Sequence, residues 1–251
     1  MNLRRIDFGT LLSSTFQLYM DNFVRLITIS AVFVGLTVVV VAGIVTAIAT
    51  VGILALIPAI GGAVLLMVAS ILLQGVFVLA VTDIQTGAPE RSVGELISAA
   101  MPRFWALLGT GLLAGLAIFI GILFCLLPGI AFAVLFTVVG AVVMLEGLSG
   151  PEALSRSWNL VKGEFWSVLA LVVVVGIIVA VVNGIAGAIL GGILGVGGGF
   201  LHQIGRQLPS VITAPISAVL SVLIYFALVQ PPTPPADPTG TPAGYPAPPQ
   251  Q

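Results

Sequence analysis

The side chains that could do chemistry in this sequence are few and far apart. His202 is the only histidine and Cys125 the only cysteine, so a Cys-rich metal site and an intrachain disulfide are both excluded. His202 lies in GFLHQIGRQLPS with Arg206 at i+4 and no acid close by. A lone histidine cannot assemble a triad or a metal site by itself, so a structural or interfacial role is expected. Glu146 is the acid closest to an apolar run. Buried in lipid it would be costly and would mark a proton or substrate site; the plainer reading is that it ends a helix at the membrane boundary. Asp83 closes an earlier apolar run in the same way. Gln74 and Asn183 are amides well inside apolar runs, placed for hydrogen bonds between helices more than for ligand capture. No phosphate-cradling loop, nucleotide signature or zinc spacing occurs, so neither cofactor nor metal is expected.

The elements that must position these groups follow from composition. Of 251 residues, 7% are charged and 59% hydrophobic, where a soluble domain carries about 25% charged residues. Water cannot solvate such a surface, and a net charge of -1 excludes nucleic-acid binding through a basic face. Residues 26–82 hold no formal charge; as one helix they would run roughly 85 Å, nearly three bilayer cores of about 30 Å. The run must fold back, and the breakers Gly52, Pro58, Gly61 and Gly62 divide it into spans at 26–50 and 62–82. The uncharged run 104–145 divides at Pro128-Gly129 into spans at 104–126 and 129–146, and the remainder gives 165–190 and 210–229. Continuous rather than alternating apolarity selects helices over barrel strands. The expected fold is an all-α, polytopic bundle of six transmembrane helices.

Seven of the eight basic residues, Arg206 excepted, fall on the side of the termini in this arrangement. The positive-inside rule then places both termini in the cytoplasm, and the start of the chain lacks the short basic region of a cleavable signal, so the N-terminus is expected to be retained.

Three short segments precede the three pairs of spans: DFGTLLSSTFQLYMDNF from Asp7, SVGELISAAMPRFWALL from Ser92 and SGPEALSRSWNLVKGEF from Ser149. Large apolar residues recur in each at i, i+4, i+7 and i+11: Leu12, Phe16, Tyr19 and Phe23; Ile97, Met101, Phe104 and Leu108; Leu154, Trp158, Val161 and Phe165. That interval makes one helical stripe. The chain thus reads as three repeats of amphipathic elbow helix plus helical hairpin. Ser92 with Glu95 and Ser149 with Glu152 have the capping-box spacing, and Asp7 stands at the equivalent N-cap. Asp21 with Arg25 and Glu152 with Arg156 are acid-before-base pairs at i, i+4. Pro102 is placed to end the second elbow and begin the third span. Either these helices lie in the headgroup layer, with Trp158 dipping inward and Arg156 and Lys162 meeting anionic lipid, or they are elbows packed on the bundle.

On EGLSGPEALSRSWNLVKGEFW (146–166), LLPGI (126–130) and the opening DFGTLLSSTFQLY, the chain resembles the bacterial family named for the membrane domain of glycerophosphoryl diester phosphodiesterases, over about residues 5 to 230. In that family the membrane domain precedes a catalytic domain or stands alone. A catalytic barrel needs about 250 further residues, with paired histidines and metal-binding carboxylates, so the resemblance is to the stand-alone form and the enzyme name is not carried over. It implies a bacterial cytoplasmic membrane location.

Gly187, Gly191, Gly195 and Gly199 recur every four residues, and Gly111 with Gly115 repeats the small-xxx-small spacing; such faces allow close helix contact or self-association. Past Gly195 the glycines equally suit an outer loop. Residues 231–251 are proline-rich without apolar periodicity and read as an extended, disordered cytoplasmic tail. The function expected is that of a noncatalytic membrane scaffold or accessory protein with membrane lipids as partners; the alternative is a small-molecule or lipid transporter. Candidate functional or interface residues are Glu146, Trp158, Arg156, Lys162 and His202.

Overall fold

The computed structural model describes residues 8–51, 56–195 and 199–229. Asp7 and the proline-rich tail lie outside them. Among the described residues ten α-helices follow one another: α1 (Phe8–Asp21), α2 (Phe23–Val51), α3 (Leu56–Thr86), α4 (Val93–Ala100), α5 (Phe104–Phe124), α6 (Leu126–Leu135), α7 (Val139–Ala141), α8 (Gly150–Val161), α9 (Phe165–Gly195) and α10 (Gly199–Val229). No strand occurs among the described residues. Six stretches are long and apolar enough to cross a bilayer, with mean hydropathies from 2.2 to 3.0. This is the make-up of a multi-pass membrane protein, in which only internally bonded backbone is tolerated against lipid.

The crossings differ from their expected limits where a breaker proves harmless. Pro58 falls in the first turn of α3, where its missing N–H costs no ladder bond, and Gly61 and Gly62 continue the helix. Gly62 is where α2 packs closest: an added Cβ there would stand 2.6 Å from Ile44 Cδ1. Pro128 likewise lies in the first turn of α6, and the chain reverses three residues earlier, at extended Cys125 (φ -170, ψ 147). The sixth crossing starts at Gly199 instead of 210 and carries Pro209 and Pro215 inside it; residues 196–198, part of the expected outer loop, lie outside the described residues. At 29 to 31 residues, α2, α3, α9 and α10 run to about 45 Å. They exceed the hydrocarbon core of about 30 Å and must tilt or project from it.

The fourth crossing is broken. Helix α6 stops at Leu135, residues 136–138 turn, α7 adds one turn, and a wide π-helical segment, Val142–Glu146, completes the passage. Ser157 of α8, fully buried, donates its hydroxyl to the Leu135 carbonyl at 2.7 Å, meeting a buried acceptor where the helix ends. Tyr19 of α1 donates its hydroxyl to the Ile212 carbonyl of α10 at 2.8 Å, in the turn that Pro215 closes. Elbow helices α1 and α8 therefore pack into the bundle, each meeting a backbone carbonyl of another helix.

The buried seam of the three elbow segments coincides with the stripe of large side chains at Tyr19, Phe104 and Val161, all buried, and is shifted by one residue a turn earlier. Met101 (50% exposed), Phe23 (37%) and Trp158 (39%) face outward, while Thr15, Ala100 and Ser157, at matching places in the three segments, are all 0% exposed. Small residues occupy the contact because helices approach closely only where no bulky group intervenes. Around these elbows the core gathers at the end of the bundle holding Asp83 and Glu146, with Val76, Val81, Val138, Val142, Val161 and Ile224 fully buried.

Candidate functional site

Two carboxylates anchor that end. Asp83 sits in the last turn of α3, and Gly87 beyond it, at φ +65, takes the left-handed conformation that stops a helix. The chain turns back and brings Arg91 onto Asp83: Arg91 Nε donates to Oδ2 at 2.8 Å and Nη2 to Oδ1. This hydrogen bond to the carboxylate holds the Arg91 pKa above its ordinary value. Arg25, at the start of α2, approaches the same carboxylate with Nη2 3.5 Å from Oδ2. The Asp83 side chain is 5% exposed and that of Arg25 16%, and Arg25 Nε and Nη2 are buried without a hydrogen-bond partner among the described residues. A buried unpaired donor costs about 1–3 kcal/mol. The expected Asp21–Arg25 pair is absent because Arg25 turns to the buried acid, where attraction is screened less than at the surface.

Glu146 ends the π-helical segment, and Gly147 at φ +74 again reverses the chain. Arg156 of α8 returns its Nε to both Glu146 oxygens, at 3.1 and 2.9 Å, and Tyr225 of α10 donates its hydroxyl to Oε1 at 3.0 Å. The expected Glu152–Arg156 pair is replaced by this one. Arg103 caps the same helix end, donating to the carbonyls of Val143, at 3.0 Å, and Met144. Glu146 thus terminates a helix and ties three elements together, with every strong donor around it satisfied.

The two capping boxes part company here. At Ser92 both bonds form, from Glu95 N to Oγ and from Ser92 N to the Glu95 carboxylate. Ser149 occupies the N-cap without a side-chain bond. Gly150, at φ +57, swings its amide to Thr110 Oγ1 at 2.7 Å, so the box cannot close. Pro102 sits in a tight three-residue turn, Met101–Arg103, and the third span begins two residues after it.

The remaining candidates are structural or exposed. Trp158 lies 6.1 Å from the Phe132 ring, and Lys162 bonds Asn159 Oδ1 at 2.7 Å. His202 Nδ1 meets the Gly191 carbonyl at 2.8 Å, inside a seam where α9 and α10 nearly touch. A Cβ added at Gly205 would stand 2.5 Å from the Leu190 carbonyl oxygen, and one at Gly187 3.1 Å from that of Arg206. Gly191 and Gly195 face His202, so the glycine spacing marks close packing through Gly195. Asn183 bonds Thr213 across the same pair of helices at 2.7 Å.

Gly111 and Gly115 behave differently. Nothing lies within 4 Å of a Cβ added at either; they are exposed and line a lateral groove of about 630 Å³ among α3, α5, α7 and α10. Gln74, Thr137, Ser217 and Ser221 give it scattered polarity, and no charged residue lines it. Gln74 is exposed toward it; the interhelical hydrogen bond expected of Gln74 is not formed among the described residues. A second hollow of about 390 Å³ shares Ser70, Gln74, Leu107 and Gly111 with it. Among the described residues no three His, Cys, Asp or Glu side chains converge as metal ligands.

The chain matches no protein-family model, no curated protein and no solved structure. Its chemistry therefore stands on the geometry above. The residues that sequence reasoning did not single out as a site are Arg25, Arg91, Arg103, Ser157 and Tyr225. One signal was present for Arg25: it is the last charge before an uncharged run and Asp83 the first after it, so a hairpin folded from that run brings its two ends together.

Proposed function

We propose that this is a noncatalytic integral membrane protein that accommodates a membrane lipid, holding an acyl chain in the lateral groove. The observation that carries this reading is the groove itself: about 630 Å³ within the bundle, lined by apolar and small residues and free of charge. That size falls in the range of ligand pockets, about 300–1,000 Å³, and an apolar, laterally open cavity in a membrane protein meets lipid before any other solute. The likeness of the elbow segments to the stand-alone membrane domains of the glycerophosphoryl diester phosphodiesterase family leads to the same reading. On it the protein resides in a bacterial cytoplasmic membrane with the Asp83–Glu146 end inside; reporter fusions are expected to place position 128 outside and positions 88 and 150 inside.

The test is lipid retention. Protein purified in mild detergent is expected to carry lipid detectable by mass spectrometry, and Gly111→Leu with Gly115→Leu, which send side chains into the groove from positions where a Cβ meets no neighbour, are expected to lose it. Equal lipid content in wild type and the filled variant, or turnover of a glycerophospholipid that disappears on substituting Glu146 or His202, removes the proposal.

A transporter is the second reading, and one observation favours it: the broken fourth crossing lines this groove through Phe136, Thr137, Val139 and Gly140. Broken helices beside a cavity recur where substrates pass through membranes. Uptake by proteoliposomes that Gly111→Leu blocks would select it.

A further inference from the structure

We propose that the pocket at the Arg25–Asp83–Arg91 junction binds a phosphate ester that carries an ammonium group. The inference is independent of the groove: Asp83 follows Gln74 by nine residues on α3, which at about 100° per residue puts them on opposite faces.

The first observation is a surplus of cation. One carboxylate faces two guanidinium groups, and Arg91 holds both of its oxygens. Arg25 is left at 3.5 Å with its Nε and Nη2 buried and unpartnered among the described residues. A lysine so placed could shed its proton, but a guanidinium does not deprotonate in proteins, so its charge persists beside a carboxylate whose oxygens Arg91 already holds, and its buried N–H groups still want an acceptor.

The second observation is the space beside it. A pocket of about 440 Å³ is lined by Arg25 and Arg91, with Asn22, Thr28 and Ser92 adding hydrogen-bonding groups. Phosphate is the anion that two guanidinium groups and a hydroxyl suit best, since its several oxygens accept paired N–H donors in a fixed fork.

The third observation is the layering of charge. Asp21 and Glu90 also line the pocket; both are exposed, and neither forms an ion pair among the described residues. The floor formed by Arg25 and Arg91, with the Asp83 carboxylate they share, thus carries one net positive charge, and the exposed rim carries two negative ones. A bare dianion is drawn by the floor and opposed by the rim. A phosphate bearing an ammonium group satisfies both layers, the phosphate on the arginines and the ammonium between the carboxylates.

The experiment uses the full chain in detergent and reads thermal unfolding against added O-phosphoethanolamine, inorganic phosphate and dihexanoylphosphatidylethanolamine, because a ligand that binds the folded state raises the melting temperature with its concentration. Wild type is expected to show a saturable rise with O-phosphoethanolamine at lower concentration than with inorganic phosphate. Arg25→Gln is expected to weaken that response about tenfold or more, the loss of a charged hydrogen bond, while melting close to the wild type without ligand, since it removes together the 3.5 Å contact to Asp83 and two buried donor atoms left without an acceptor. Asp21→Asn with Glu90→Gln is expected to weaken O-phosphoethanolamine and leave inorganic phosphate unweakened. Earlier saturation by the diacyl compound assigns a lipid headgroup, and the reverse order a free phosphate ester. No saturable rise with any of the three, an Arg25→Gln variant that responds like wild type, or equal response to inorganic phosphate and O-phosphoethanolamine overturns the proposal. A lipid-free groove would leave these results unaffected, so the two proposals fail separately.

Discussion

Asp83 and Glu146 are built by the same local device and end in opposite electrostatic states. Each acid closes a membrane-crossing segment, each is followed by a glycine at positive φ that reverses the chain, Gly87 and Gly147, and each receives an arginine from the next stretch of sequence, Arg91 and Arg156. At Glu146 the partners balance: one arginine takes both oxygens and the Tyr225 hydroxyl adds a third bond. At Asp83 a second arginine arrives from α2 and finds the carboxylate occupied. The difference teaches that an acid at a helix end is a fastener when its donors match its lone pairs, and a candidate binding floor when cation is left over.

The largest effect that would sharpen this contrast is expected from Asp83→Asn. It strands Arg25 and Arg91 without a counter-ion in a site where the acid is 5% exposed, and removing one member of a buried pair costs about 3–5 kcal/mol; chemical denaturation in detergent should show a loss of that order. Adding Arg25→Gln to Asp83→Asn should recover part of it. Glu146→Gln is expected to cost less, about 1–3 kcal/mol, because Arg156 is 41% exposed and water replaces part of the lost attraction. An equal or larger loss at Glu146 would break the comparison.

The two glycine faces offer a steric version of the same contrast. Gly205→Ala drives a Cβ against the Leu190 carbonyl at 2.5 Å and is expected to destabilise by about 1–3 kcal/mol, as overpacking does. Gly111→Ala meets nothing and should be neutral or slightly stabilising through helix propensity. The smallest effect is expected at the caps flanking the two acids. Ser92→Ala loses a formed box and should lower the melting temperature, while Ser149→Ala, which removes no bond from the cap, should leave it where it is.

Before any coordinates, the bareness of long runs such as 26–82 already required lipid as solvent, helices as the crossing element, and six passages, because uncharged stretches of that length have no other stable arrangement. The glycine seam of α9 was readable for a similar reason, since a four-residue spacing of small groups is itself a geometric statement. Tertiary structure alone decided the rest. Hydropathy treats a side chain facing lipid and one facing a neighbouring helix alike, so the shift of the elbow seams onto Thr15, Ala100 and Ser157, away from the large residues beside them, was illegible. The break at 136–138 has no proline or glycine within it; the Ser157 hydroxyl that meets the Leu135 carbonyl comes from another helix. Arg25 and Arg156 each had an acid four residues away and chose a more distant one; for Arg25 the attraction grows because water is excluded around Asp83, and which charges come together is settled only when the helices pack.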